Sequence, residues 1–376
     1  MKFIFDINHK IPLVDRYIIS QLSLLFVFSV GLFSALGVTI GTVSDLGYKI
    51  TEYKLPVSVA ILIFCYKIPE YIAYALPISI LLSSLIIYGR LSSDRELTAL
   101  FSFGISFTRI IVPALVFSLS ITGITFLFNE LIVPAANYQA NLLQNPFIFE
   151  TELNQKQRDV FYYEYENNPS KSLKTIYFAE HYNSPNLEEV TIISLDRGLV
   201  KQIVTAKLAR EHQQQSWDLF DGETITIDLK TGKLATETFT SKQLPFSTTI
   251  FEIANKKRSP EDMNIRQASE YLSLIQDSGK QTDIAKFAVR IQQKYAFPFI
   301  CLIFSLIGSS LGAKYLEVNR SKGFGLCVAI VFIYYLLGFS FGSLGIIGIL
   351  SPFWAAWMPN LLGAIAGIQL LRTTNS

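Results

Sequence analysis

Charge is scarce in this sequence. Only 16% of its 376 residues are Asp, Glu, Lys or Arg, and 50% are apolar, whereas soluble domains are about 25% charged. The composition therefore excludes an ordinary soluble protein. The 32 Lys and Arg almost balance the 30 Asp and Glu, leaving a net charge of +2, so a nucleic-acid partner has no electrostatic basis. Cysteine is equally rare. Cys65, Cys301 and Cys327 each lie inside an apolar run, which excludes a disulfide framework and reads as buried apolar thiols. The three histidines, His9, His181 and His212, are far apart, and neither a His-Glu-x-x-His pair nor a Gly-x-Ser-x-Gly elbow is present. A phosphate-binding loop needs Gly-x-x-x-x-Gly-Lys-Ser/Thr, because backbone amides and one lysine must surround the phosphates. Gly232-Lys233 is followed by Leu234 and Gly279-Lys280 by Gln281, so neither fits. No catalytic set, metal site or nucleotide site is read in the chain.

Long uncharged runs fill the space that charge leaves. A helix rises about 1.5 Å per residue and needs roughly 20 residues to cross a hydrocarbon core of about 30 Å. Tyr17 to Ser44, Tyr71 to Gly89, Ile110 to Asn129 and Tyr295 to Ala313 each supply one crossing. Gly323 to Leu371 is long enough for two, with a turn predicted between Gly345 and Pro352. Six spans follow. The first run exceeds the hydrocarbon thickness, so its helix tilts or projects, and it is longer than the apolar core of a cleaved signal peptide. Lys67 and Glu70, three residues apart at the start of the second span, should sit near an interface and can pair with each other. Small residues four apart, Gly37/Gly41, Gly308/Gly312, Gly338/Gly342 and Gly363/Gly367, predict close helix packing. Gly342, Gly345 and Gly348 read as turn rather than nucleotide site.

Lys and Arg in short flanks set the orientation. Lys2, Lys10 and Arg16, then Arg90, Arg95 and Arg109, then Lys314, Arg320 and Lys322, and finally Arg372 mark one side. Lys49 and Lys54 lie on the other. Both termini are expected on the cytoplasmic side and the charged middle of the chain outside. That middle, between Leu131 and about Arg258, shows six β-like segments: Asp159 to Tyr165, Thr175 to Tyr182, Val190 to Leu195, Val200 to Ala206, Glu223 to Asp228 and Ala235 to Thr240. Asn167-Asn168-Pro169, Asn183-Ser184-Pro185, Asp221-Gly222 and Thr231-Gly232 read as the turns between them. Pro260 to Lys294 then changes to a helical period, with Ala268, Leu272 and Ile275, and Phe287, Val289 and Ile291, on apolar faces broken at Gly279.

The region from Ile68 to Ser106 carries Pro69, Leu76-Pro77, Gly89-Arg90-Leu91-Ser92, Asp94, Glu96-Leu97-Thr98-Ala99-Leu100 and Gly104-Ile105-Ser106. Asn129-Glu130 with Pro134, Trp217-x-Leu219-x-x-Gly222, Lys294-x-Ala296-x-Pro298-Phe299, Pro352-x-Trp354 and Trp357-x-Pro359-Asn360-Leu361-Leu362 follow in order. Together these resemble the LptF/LptG permeases, which export lipopolysaccharide. The resemblance implies an α-helical membrane protein of six transmembrane helices, three and three, with an inserted periplasmic β-jelly-roll domain. It divides the chain into spans one to three (1–130), the β domain (131–258), an amphipathic connector (259–294) and spans four to six (295–376).

Further expectations come from the family. The chain is an inner-membrane permease and not itself an enzyme. It needs no cofactor of its own, and ATP and Mg belong to a cytoplasmic LptB-like ATPase dimer. Its other partners are a second LptF/LptG-type subunit, self or paralogue, periplasmic jelly-roll proteins of the LptC and LptA kind, and lipopolysaccharide. A cytoplasmic helix within 92–106 would couple to the ATPase through Asp94, Glu96, Ala99 and Gly104. Members often carry a base near the external end of helix one. Gly41-Thr42-Val43 is uncharged here, so the candidate substrate-facing residues are Lys49, Lys54 and Lys67. The lipoprotein-releasing permeases place their large external domain after the first span, not the third. A membrane-anchored periplasmic receptor or scaffold without transport is the alternative of another class.

Overall fold

The computed structural model describes residues 12–155, 160–165, 173–183, 186–196, 199–213, 216–227, 233–244, 262–275, 281–315 and 320–375. Six helices are long and apolar enough to cross a membrane: Leu13–Glu52, Val57–Ser93, Phe107–Gln144, Asp283–Lys314, Gly323–Ile346 and Pro352–Thr374. These are the first to sixth spans below. The chain divides into a helical unit (1–147, 261–265 and 285–376) and a second unit (148–260 and 266–284).

Within the helical unit, apolar runs become helices because only a helix pairs every backbone group internally in lipid. Pro69, Pro77, Pro113 and Pro359 lie inside spans without ending them, as membrane helices allow where neighbours supply the missing bonds. The first span is 40 residues long, about 60 Å as a helix, so it projects beyond the hydrocarbon. A wide π turn at Thr39–Val43 joins its two helical parts. There Gly37 and Gly41 lie against Tyr71, and a Cβ on either would strike the ring or its hydroxyl. A second π turn, Phe128–Ile132, precedes Pro134, and the Val133 N–H reaches back to the Phe128 carbonyl.

The second and fourth spans form the centre. Gly308 and Gly312 rest on backbone: a Cβ at Gly312 would stand 2.6 Å from the Leu85 carbonyl and 3.1 Å from the Gly89 nitrogen. Leu81, Leu85, Phe304 and Cys327 are buried around this contact. Gly363 and Gly367 lie against the side chains of Ile303 and Leu306 rather than backbone, whereas Gly338 faces open space. Asn360 ties the last three spans together. Its amide donates to the Ala296 carbonyl at 2.8 Å, and its oxygen accepts from the Tyr334 hydroxyl. The Ala296 carbonyl is available because the helix tightens into a 3₁₀ turn at Phe297–Phe299 around Pro298. The fifth span ends at Ile346, Gly348 turns at φ +81°, and Pro352 opens the sixth, inside the predicted turn. Lys67 pairs with Glu70 at 3.0 Å as their spacing predicts. Cys301 and Cys327 are buried, but Cys65 is exposed.

The second unit holds one six-stranded antiparallel sheet in the order of the sequence: β1 Val160–Tyr165, β2 Leu173–Asn183, β3 Asn186–Asp196, β4 Leu199–Gln213, β5 Ser216–Ile227 and β6 Leu234–Leu244. The inserted β domain is therefore present, but its described strands form a meander rather than a jelly roll. Connections as short as that between Asn183 and Asn186, which pair with each other, leave no length for a Greek-key crossing. The helix of the third span also runs on to Gln155, and the first described strand, Val160–Tyr165, falls within the first predicted β segment.

Asp221-Gly222 is a kink within β5 rather than a turn. Asp221 has φ 51° and Glu189 of β3 has φ 50°, and the register skips both together with Lys207 of β4. The result is a crease running across the strands. It shifts the inward alternation by one residue, from Val204 and Ala206 to Ala209 in β4 and from Trp217 and Leu219 to Gly222 in β5. Gly222 is required there, since any Cβ would run into the Thr205 carbonyl. Trp217, Leu219, Val190 and Ala206 fill the sheet's apolar face. Among the predicted turns, 167–169, 184–185 and 231–232 lie outside the described residues, as does the break at Gly279 between helices Ile265–Ile275 and Gln281–Ala296.

Candidate functional site

The connection between the second and third spans is built by two left-handed residues. The helix of the second span ends at Ser93, and Asp94, exposed, donates its N–H to the Arg90 carbonyl at 2.8 Å. Arg95 turns at φ 60° and starts a short helix, Glu96–Ser102, which Gly104 ends at φ +78°. Leu97 is the buried residue of this helix. It packs among Ile18 and Leu22 of the first span, Tyr88 and Leu91 of the second, and Phe107 and Ile110 of the third. Ala99 and Gly104 are exposed, and so are Phe101 at 43% and Phe103 at 83%. Glu96 accepts a hydrogen bond from the Tyr17 hydroxyl at 3.2 Å. Beside it Asp15 takes both terminal nitrogens of Arg109, at 2.9 and 2.7 Å. This bidentate geometry is the stronger form of a carboxylate ion pair.

A second polar cluster sits at the opposite end of the first span. The Lys49 ammonium pairs with Asp45 at 2.6 Å and donates to Gln144 at 3.0 Å. Gln144 donates to Asn141 at 2.8 Å, and Asn141 to Asp262 at 3.3 Å. Nearby, both oxygens of Glu130 accept from the Ile265 N–H, at 3.1 and 3.0 Å. That carboxylate caps helix Ile265–Ile275 and complements its positive end. Of the three lysines singled out in the sequence, Lys49 and Lys67 are thus held by carboxylates. Lys54 is exposed, at the left-handed turn between the first and second spans.

Residues 16–373 match the profile of the lipopolysaccharide export system permease LptF/LptG. The chain belongs to the LptF/LptG family. No curated protein matches it. As a family member it is a multi-pass membrane protein and a permease subunit of lipopolysaccharide export. The motifs shared with the LptF/LptG permeases now have structural roles. Gly89-Arg90 lies where the fourth span rests on the second, Trp217 and Leu219 fill the sheet, Glu130 caps a helix, and Asn360 joins three spans.

Sequence reasoning did not find Asp15, Tyr17, Asn141, Gln144 and Asp262 as site residues. Their partners are distant in sequence, and no local spacing signals them. Phe101 and Phe103 carried a signal that went unused: two aromatics beside the glycine stop of a solvated helix.

Proposed function

We propose that this permease is the membrane subunit of an ATP-driven exporter in the bacterial inner membrane. It takes lipopolysaccharide laterally from the outer leaflet and passes it to a periplasmic jelly-roll bridge. It pairs with a second LptF/LptG-type subunit, and the pair docks on a cytoplasmic ATPase dimer that binds ATP and Mg. The observation that carries this reading is the Glu96–Ser102 helix, held by Leu97 and presenting Ala99, Phe101, Phe103 and Gly104 outward. Exposed aromatics of this kind are what fill a partner's pocket, and Asp94 and Glu96 supply charge beside them. Lys54, exposed and outside the ion pairs that hold Lys49 and Lys67, is the lysine best placed to meet a glycolipid phosphate. Among the described strands, β1 and β6 are the sheet edges at which another periplasmic sheet would pair by its backbone.

Losing one partner of a charged pair at an interface costs about 2 to 5 kcal/mol. Glu96→Lys is expected to leave the protein inserted while it loses co-purification with the ATPase and stops export, with partial recovery when the facing charge in the ATPase is reversed. Normal assembly and export by this variant would remove Glu96 from the coupling contact. Orientation is checked with an impermeant thiol reagent on spheroplasts, which should label cysteines placed at Ser170 and Ser184 but not at Ser93.

A further inference from the structure

We propose that the first span carries the motion of the cytoplasmic connection across the membrane, with Asp15, Tyr17 and Lys49 as its positioning residues. The proposal rests on the permease reading above and names the element within it that transmits the ATPase's work. Two residues on one turn of the first span hold both ends of the connection. Tyr17 bonds Glu96, the first residue of its helix, and Asp15 grips Arg109, just beyond its end. A displacement of Glu96–Ser102 is therefore delivered directly to the base of the first span.

Between its ends the first span buries Ile18, Leu22, Phe26, Ser29, Ser34 and Val38, with Leu25, Val30 and Phe33 packed beside them. Where it meets the second span near Tyr71, the contact surface is Gly37 and Gly41. The Tyr71 side chain occupies the notch that these glycines leave, while Leu24, Val27 and Phe28 on the outer side are exposed. Polar ties resume at the far end. Lys49 leads through Gln144 and Asn141 to Asp262, in the segment where the chain returns from the second unit. A helical rod held by hydrogen bonds at both ends transmits displacement along its axis, here through the π turn at Thr39–Val43 that joins its two parts.

The test uses the assembled complex in proteoliposomes, reading ATP hydrolysed and glycolipid released. In Arg109→Asp and Lys49→Met, hydrolysis should stay within about twofold of the unmodified complex while release per ATP falls at least fivefold. Reversing the pair, Asp15→Arg with Arg109→Asp, should recover at least half of the release, which a merely structural loss would not show. Independently, Asp15→Cys with Arg109→Cys in a Cys65→Ser background should release poorly when unlinked and recover when bridged by a short bis-maleimide, because the two ends move together. Abolition of release on bridging would overturn the proposal by showing that the clamp opens in each cycle. A wild-type release ratio in Arg109→Asp would overturn it equally, and if that variant fails to assemble the bridging result decides. An unmodified complex that binds no ATPase would instead remove the permease reading, and this proposal with it.

Discussion

The fourth and fifth spans are both long, apolar helices, yet 72% of the core window of the fourth is buried inside the chain and only 6% of that of the fifth. Apolar content does not separate them. The difference lies in what the small residues of each span meet. Gly308, Ser309 and Gly312 let the fourth span approach the backbone of the second. The fifth presents Phe332, Leu336 and Phe339 outward, and its Gly338 meets nothing. In hydrocarbon no hydrophobic force drives helices together, so close approach of small residues and buried polar bonds decide which span is central. The first and fifth spans consequently keep large apolar side chains such as Val27, Phe28, Phe332 and Phe339 exposed among the described residues.

The strongest way to break this contrast is to swap size at matched glycines. Gly312→Leu forces a side chain onto the Leu85 carbonyl and should cost about 3 kcal/mol, the upper range for overpacking. Gly338→Leu should be near neutral. Thermal unfolding in mild detergent distinguishes them, and equal losses would mean that the two spans are packed alike. Asn360→Ala sharpens the comparison from the other side, since it removes a polar tie between the fifth span and the fourth. It leaves the Tyr334 hydroxyl and Ala296 carbonyl unpaired, at about 1 to 3 kcal/mol. The same unfolding assay reads that loss, and limited proteolysis near 347–351 should increase. The smallest expected effect is Glu130→Gln. It keeps an acceptor for the Ile265 N–H but loses the charge, costing about 1 kcal/mol or less. Amide exchange at the start of helix Ile265–Ile275 would register it, and unchanged protection there would show that the charge adds nothing to the cap.

How far the fold could be read in advance differed between the two units for a physical reason. Hydrocarbon rejects charge at about 2.5 to 3.5 kcal/mol per residue near its centre, so each span announces itself locally, and even the turn before Pro352 was legible. In the sheet, by contrast, β4 was read only as far as Ala206 and β5 only from Glu223. Those limits are where the crease at Lys207 and Asp221 shifts the alternation, and a strict period of two loses the strand there. Trp217 and Gly222 were noticed as motif residues, but their shared role across that crease needed the register of β4 against β5 and β6. At the candidate site, the helix around Glu96 and its Gly104 stop could be read from turn chemistry. Its attachment to Tyr17, 79 residues away, could not. Lys49 looked like a substrate cation although Asp45 stands four residues before it on the same helix; its other partner, Gln144, meets it only once the first and third spans are packed.

The order of residues by itself determined the number of spans, their uncharged limits and the insertion of a β unit between the third and fourth, because the costs of desolvating charge and of leaving backbone unpaired belong to each local run. Only the tertiary structure decided which spans lie at the centre, that Asp15 and Tyr17 hold both ends of the connection between the second and third spans, and that Asp221 bends a strand instead of ending it. Those outcomes depend on contacts between residues far apart in the chain, whose energies no property of either residue's neighbourhood contains.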